Sequence, residues 1–287
     1  MPDSLTLRAG RPDDASACGR IVFEAFKAIS SQHGFPWDFP SVEVTTGLAA
    51  MMLSHPGIYS VVAELDGTLV GSNFMDERNP IAGIGPITIE SAVQDRTIGR
   101  QLMHAVLERS AQRGVAGTRL VQAAYHNRSL CLYTKLGFET REPLSKIFGT
   151  PPRIRIAGYD VRPATDADRT ACNVLCTRVH GHDRGGELTD AINLGTARVV
   201  EHLGRITGYC TDLAFFGHAV GETNDDLKAL IGGANEIAGG GFLLPTRNGE
   251  LFRWCLAHGL HLVHQMTLMT IGLYNEPAGA YLASVSY

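Results

Sequence analysis

The chain has 287 residues, 44% of them hydrophobic and 19% charged, with a formal net charge of −4 at pH 7. That length fits two domains with enough apolar content for real cores, and the negative balance offers no basic field to hold a nucleic-acid backbone. No run of about 18 apolar residues is present, which argues against a transmembrane helix.

The opening MPDSLTLRAGRPDD lacks the basic-then-apolar layout of a secretory signal, so a cytoplasmic location is expected. Leu5–Arg8 reads as a short strand. Arg11-Pro12-Asp13-Asp14 then starts an amphipathic helix over Ala15–Ala28, with Ile21, Val22, Ala25 and Phe26 inward. Ser31–Pro40 (SQHGFPWDFP) is too rich in Gly and Pro for a regular helix. Tyr59–Leu65 and Thr68–Phe74 are two strands joined by Asp66-Gly67, a hairpin signal. Met75-Asp76-Glu77-Arg78-Asn79 leads into a strand over Ala82–Ile89.

The stretch Ile87–Arg113 organises the rest. Ile87, Ile89 and Val93 carry the β-branched signal of a strand entering a turn. Ile98, Leu102, Ala105 and Val106 then recur at helical spacing, with Arg96, Arg100 and Glu108 off that stripe. Between them lies Gln94-Asp95-Arg96-Thr97-Ile98-Gly99. The first turn of a helix has backbone N–H groups without intrahelical partners, and a turn that aims several of them inward makes a phosphate cradle. Gly99 lets a phosphate approach without a Cβ in the way, Arg96 and Arg100 add charge, and Thr97 is a good N-cap residue.

Thr118–Tyr125 (TRLVQAAY) is a further strand. His126-Asn127-Arg128-Ser129 opens a helix through Leu130–Leu136 that stops at Gly137, and Phe138 starts the next strand. Tyr133 lies one turn after Ser129, so both can face one cleft.

Two motifs now carry a resemblance. Gln94 and Gly99 match the pyrophosphate loop of the GNAT superfamily of N-acyltransferases, Gln/Arg-x-x-Gly-x-Gly/Ala, with Thr97 where its first Gly usually stands. Asn127 and Leu130-Cys131-Leu132-Tyr133-Thr134-Lys135-Leu136-Gly137-Phe138 resemble that family's Asn…Ala-x-x-x-Tyr-x-x-x-Gly-Phe. The motifs occur in the right order, and the resemblance covers about residues 5–148. It implies an α/β fold with a mixed, mostly antiparallel sheet flanked by helices. It also implies acetyl-CoA as cosubstrate, with no metal needed. Main-chain groups of Ile87, Thr88 and Ile89 would bind pantetheine as an added strand, and one N–H would face the developing oxyanion. Gln94, Asp95, Arg96, Thr97, Ile98, Gly99 and Arg100 would hold the pyrophosphate, with Asn127, Ser129 and Tyr133 nearby.

In that family the Tyr hydroxyl protonates the departing thiolate. A phenol of pKa about 10 can do so as the C–S bond breaks. Tyr133 is thus the expected general acid. Asp76 and Glu77, with Glu90, are positional candidates for the base that frees the attacking amine. The loop Ser31–Pro40, with Phe35, Trp37 and Phe39, corresponds to the loop that lines the acceptor pocket.

After Pro151-Pro152-Arg153 the chain repeats itself. Asp160–Cys172 parallels Thr6–Cys18, and Gly204-Arg205-Ile206-Thr207-Gly208 parallels Gly67-Thr68-Leu69-Val70-Gly71. Two tandem GNAT-like domains follow, a catalytic one over residues 1–150 and a degenerate one over 155–287. In the second, a strand around Ala214–Val220 runs into the acidic Gly221-Glu222-Thr223-Asn224-Asp225-Asp226, which would repel a pyrophosphate. A helix over Asn248–His258 offers Trp254 and Cys255 where the first copy has Leu132 and Tyr133. The second copy is expected to stabilise the first and wall its acceptor pocket.

Gly239-Gly240-Gly241 precedes a strand rather than a helix and reads as a strand entry. His180-Gly181-His182-Asp183 shows no third metal ligand nearby in sequence. The six cysteines (Cys18, Cys131, Cys172, Cys176, Cys210, Cys255) form no C-x-x-C pair and read as buried thiols acting as small hydrophobes. The function expected is acetyl transfer from acetyl-CoA to a primary amine of a small molecule or peptide, by a monomer or homodimer without nucleic-acid or membrane partners. The alternative is a CoA- or acyl-CoA-binding sensor without turnover.

Overall fold

The computed structural model describes residues 4–94 and 97–286. Strand β1 (Leu5–Ala9) leads through a 3-10 turn into helix α1 (Ala15–Gln32), followed by α2 (Val42–Ser54). Strands β2 (Ile58–Leu65) and β3 (Thr68–Asp76) form the expected hairpin, with Asp66 and Gly67 at φ 50° and 79° as a two-residue turn requires. Then come β4 (Ile81–Ile84), β5 (Thr88–Ile89), α3 (Ile98–Arg113), β6 (Gly117–Ala123), α4 (Asn127–Lys135) and β7 (Glu139–Phe148).

The second copy runs β8 (Tyr159–Pro163), α5 (Arg169–His180), α6 (Gly185–Asn193), β9 (Arg198–His202), β10 (Arg205–Cys210), β11 (Ala219–Gly221), α7 (Asn224–Gly233), β12 (Phe242–Pro245), α8 (Gly249–Ala257), β13 (His261–Gly272) and β14 (Ala280–Leu282). No helix among the described residues is long and apolar enough to cross a membrane.

The structure corrects several boundaries. α1 continues through Ser31 and Gln32, four residues past the expected end, so the irregular loop is shorter. α2 adds a helix that no expected element covers. The strand expected over Ala82–Ile89 is two strands, because Pro86 cannot donate to a ladder and the chain breaks at Gly85-Pro86. The strand expected around Ala214–Val220 shrinks to β11, with a turn before it. Cys131 is exposed, unlike the other five thiols.

Duplication is visible in the side chains. Arg8 bonds both Asp14 and Glu64, and Arg162 bonds both Asp168 and Glu201 in the same arrangement. The β9–β10 turn repeats the positive φ pair, with Leu203 at 51° and Gly204 at 74°.

The copies exchange strands, however. Among the described residues one nine-stranded sheet has the order β1-β2-β3-β4-β6-β13-β7-β12, with β5 on β3, and a five-stranded sheet has the order β14-β11-β10-β9-β8. β13 of the second half pairs antiparallel with β6 (Met266 opposite Ala123) and with β7 (Met266 opposite Leu144). The second copy therefore completes the sheet of the first. One core packs α3 and Phe138 onto this sheet around Met75, Leu102, Val106 and Met269. Two others fill the second copy around Leu175, Tyr209 and Leu243, and around Leu230, Phe242 and Cys255.

Candidate functional site

The break at Gly85-Pro86 opens the site. β4 runs parallel to β6 only from Ile81 opposite Gly117 to Gly83 opposite Arg119. Beyond it β5 pairs with β3 instead, Thr88 opposite Ser72 and Ile89 opposite Gly71. Residues 84–88 and 120–123 therefore line the two sides of a gap, the splayed edge expected for a ligand that adds as a strand.

Two cavities meet there. A groove of about 510 Å3 runs from Thr88 past Gln94, Thr97, Ile98, Gly99 and Arg100 to Arg128 and Leu132. A chamber of about 140 Å3 is lined by Ile84–Thr88, Leu120–Ala123, Phe26, Asp38 and Phe39. Thr88, His126, Ser129 and Tyr133 line both.

α3 starts the groove. Its N-cap, Thr97, sits at φ 63°, the left-handed region that favours glycine, and its side chain makes no cap bond. Thr97 is thus a strained turn residue rather than a side-chain cap. Gln94 steadies the turn, donating to Ile89 O at 3.3 Å and accepting from Arg128 at 3.2 Å. A Cβ on Gly99 would meet Ile89 Cδ1 at 3.0 Å, so this glycine also serves close helix–strand packing. Asp95 and Arg96, expected to help hold the pyrophosphate, lie outside the described residues.

Tyr133 is buried at the junction of the two cavities, edge-on to Phe138. Burial pushes its phenol up to about 12, partly offset by a hydrogen bond with Ser129. Ser129 Oγ in turn lies 2.7 Å from His126 Nδ1. Burial, Arg128 and His33 lower the His126 pKa, which favours a neutral imidazole at pH 7. The array runs phenol, hydroxyl, imidazole.

The remaining expected residues are placed as follows. Ile87, Thr88 and Ile89 edge the gap. Asn127 opens α4 but is exposed and lines neither cavity. The three carboxylates considered as base do not join the site either. Asp76 pairs with Arg78, which also bonds Asp190 of the second copy, and Glu77 pairs with Arg109. Glu90 pairs with Arg20. Each of these carboxylates is held by a guanidinium outside the two cavities.

Several chamber residues stand outside both sequence motifs. Asp38 accepts from Lys146 at 2.9 Å and lies 3.3 Å from His264 Nε2. Burial acts to raise its pKa, but the His264 hydrogen bond and the Lys146 charge prevail and lower it. Gln122 lines the chamber, and both of its buried amide atoms lack a hydrogen-bond partner among the described residues, as does Thr88 Oγ1. Phe215, Phe216, Met266 and Val285 close the chamber, so the second copy walls it as expected. Of the aromatic loop, Phe39 lines the chamber, Phe35 stacks on Tyr125, and Trp37 is half exposed beside Lys27.

The second copy plugs its own corresponding helix. At the start of α7 the buried Asp226 accepts from Thr223 N, Thr223 Oγ1 and Thr207 Oγ1. A protein carboxylate thus occupies the donors that an anion would need.

The sequence model of the acetyltransferase (GNAT) family matches residues 23–138, a span that holds both motifs. No curated protein matches the chain. Solved structures that match nearly its whole length include the following three. A Pyrococcus horikoshii protein assigned as an acetyltransferase is 19% identical at TM-score 0.73, covering 96% of this chain and 94% of that one. A GCN5-related N-acetyltransferase from Sphaerobacter thermophilus is 16% identical at TM-score 0.60, covering 96% and 98%. A tandem GNAT protein from the clavulanic acid biosynthesis pathway is 13% identical at TM-score 0.59, covering 94% and 98%. At these identities the likeness is one of fold. The chain therefore has the tandem GNAT fold, and residues 23–138 within it match the sequence model of the acetyltransferase (GNAT) family.

Proposed function

We propose that the protein is an N-acetyltransferase that moves the acetyl group of acetyl-CoA to a primary amine of a small molecule or peptide. The observation that carries this reading is the position of Tyr133, buried where the groove from the start of α3 meets the acceptor chamber.

In this reading the diphosphate rests on main-chain N–H groups at the start of α3, with Arg100 and Arg128 beside it. Pantetheine lies in the gap along residues 87–89. The amine enters from the chamber, and its nitrogen attacks the thioester carbonyl carbon. The C–S bond breaks, and the thiolate takes the Tyr133 proton. The proton lost by the amine goes to His126 and returns through Ser129 to Tyr133, so the balance closes at amide plus free thiol. His126 replaces Asp76 and Glu77 as the proposed base. The chamber favours an amine on a compact apolar body, with Gln122 supplying a hydrogen-bonding pair and Asp38 a negative charge.

Thiol release from acetyl-CoA across a panel of primary amines tests this. Turnover with at least one apolar-bodied amine is expected. Coenzyme binding without thiol release for every amine would instead support a sensor.

A further inference from the structure

α5 carries Cys176 and His180 one turn apart, and His218 stands just before β11. The Cys176 sulfur, one nitrogen of His180 and one nitrogen of His218 all lie within 4.8 Å of one another. All three residues are buried, at 0%, 4% and 2% exposure respectively. Buried polar groups are nearly always hydrogen-bonded, and an exception calls for another kind of partner. Neither ring nitrogen of His180, and neither of His218, has a hydrogen-bond partner among the described residues.

We propose that Cys176, His180 and His218 form a binding site for a divalent transition-metal ion of the zinc class, inside the second copy. One thiolate and two imidazoles are a zinc donor set, and three protein ligands leave one tetrahedral position. A cavity of about 10 Å3 lined by His180, His218, Arg184 and Tyr281 offers space on the order of one water there. Cys176 binds as the thiolate: the S–H bond breaks, a metal–sulfur bond forms, and one proton is released per ion.

The thiolate offsets one charge of the cation. The Glu187 carboxylate pairs with Arg184 and reaches within 4.0 Å of His218 Nδ1, and Arg119 lines the same cavity. Thr211 Oγ1 bonds both Glu187 and the His218 backbone N–H, fixing the strand that presents His218. His182 lies nearby, its ring 5.9 Å from that of His180, but it is outside the converging set. The acyl-transfer site does not include these residues, so the ion takes no part in that chemistry. It ties α5 to β11, and the Tyr281 ring packs on His180 from β14.

The test is metal analysis of the full chain expressed with zinc supplementation and dialysed without chelator. One zinc per chain is expected, with loss of most of it in Cys176→Ser and His218→Asn. If those variants do not fold, cobalt-loaded wild-type protein decides the matter through its thiolate-to-cobalt charge-transfer absorption. Stripping the metal should lower the melting temperature by roughly 5–10 °C. Full zinc retention in folded variants would overturn the assignment. So would wild-type protein that holds neither zinc nor cobalt near stoichiometry, or that binds cobalt without the sulfur band.

Discussion

Ser129 Oγ lies 2.7 Å from His126 Nδ1, and Tyr133 stands one turn further along α4, so a single short helix carries the whole proposed proton path. Removing the acid should be the most direct insult to it. Tyr133→Phe should lower kcat by about 10²–10⁴-fold. The KM for acetyl-CoA should change little, since the hydroxyl acts on the departing sulfur. Steady-state kinetics with both substrates varied checks this, and unchanged turnover would remove Tyr133 from its role.

The pH profile follows from the same three groups. The His126 pKa is lowered from its ordinary 6.5, so the neutral base is present at pH 7 and is lost as pH falls through a value below 6.5. Activity should therefore rise with pH across an acidic limb, and His126→Gln should abolish that limb while slowing turnover. With Tyr133 pushed up to about 12, its ionisation should give no alkaline decline below about pH 10. An acid limb that survives unshifted in His126→Gln would point to another base.

Thr97 holds a left-handed conformation at φ 63° without a cap bond. The strain costs about 1–2 kcal/mol, and glycine relieves it at an unfolded-state cost of about 0.5–1 kcal/mol. Thr97→Gly should leave stability equal or raised by up to about 1 kcal/mol, with acetyl-CoA binding undiminished. Thermal unfolding and calorimetric titration measure the two effects, and weaker coenzyme binding would contradict this view of the turn.

Asp38 and Lys146 form a buried pair, 8% and 4% exposed at the side chain. Asp38→Asn strands the lysine charge and should cost about 3–5 kcal/mol in stability. Because the Asp38 pKa is lowered from 3.8, the wild-type pair contributes fully above that value and loses its contribution as pH falls below it. Denaturant unfolding of the two proteins at pH 7 and pH 3 should therefore show a large difference that shrinks in acid.

Phe216 reaches the chamber from the second copy. Phe216→Ala should raise the acceptor KM by about 10-fold without moving that of acetyl-CoA. Equal effects on both would mean that the second copy shapes the coenzyme groove as well.

Much of this architecture is legible in local signals. Asp66-Gly67 announces its hairpin, Gly137 and Gly259 stop α4 and α8, and the paired Arg8/Asp14 and Arg162/Asp168 segments reveal the duplication. The turn before α3 and the helix that carries Tyr133 are readable because each motif is short and contiguous. The strand exchange is not, since β13 meets β6 across more than a hundred residues and its own pattern does not name a partner. Pro86 was in plain view, yet its effect is to send β5 to β3 and open the gap, a consequence of pairing rather than propensity. Asp38, Gln122 and His126 escaped because each gains its role from neighbours remote in sequence. Asp76 and Glu77 misled for the converse reason: their arginine partners come from Arg78 and from α3.

The measurement that tests the central claim most directly is a crystal structure of the chain with acetyl-CoA bound. The account predicts one coenzyme per chain, its diphosphate on the amides that open α3 and its thioester within hydrogen-bond reach of the Tyr133 hydroxyl. A coenzyme seated at the start of α7, or one whose thioester lies far from Tyr133, would contradict it.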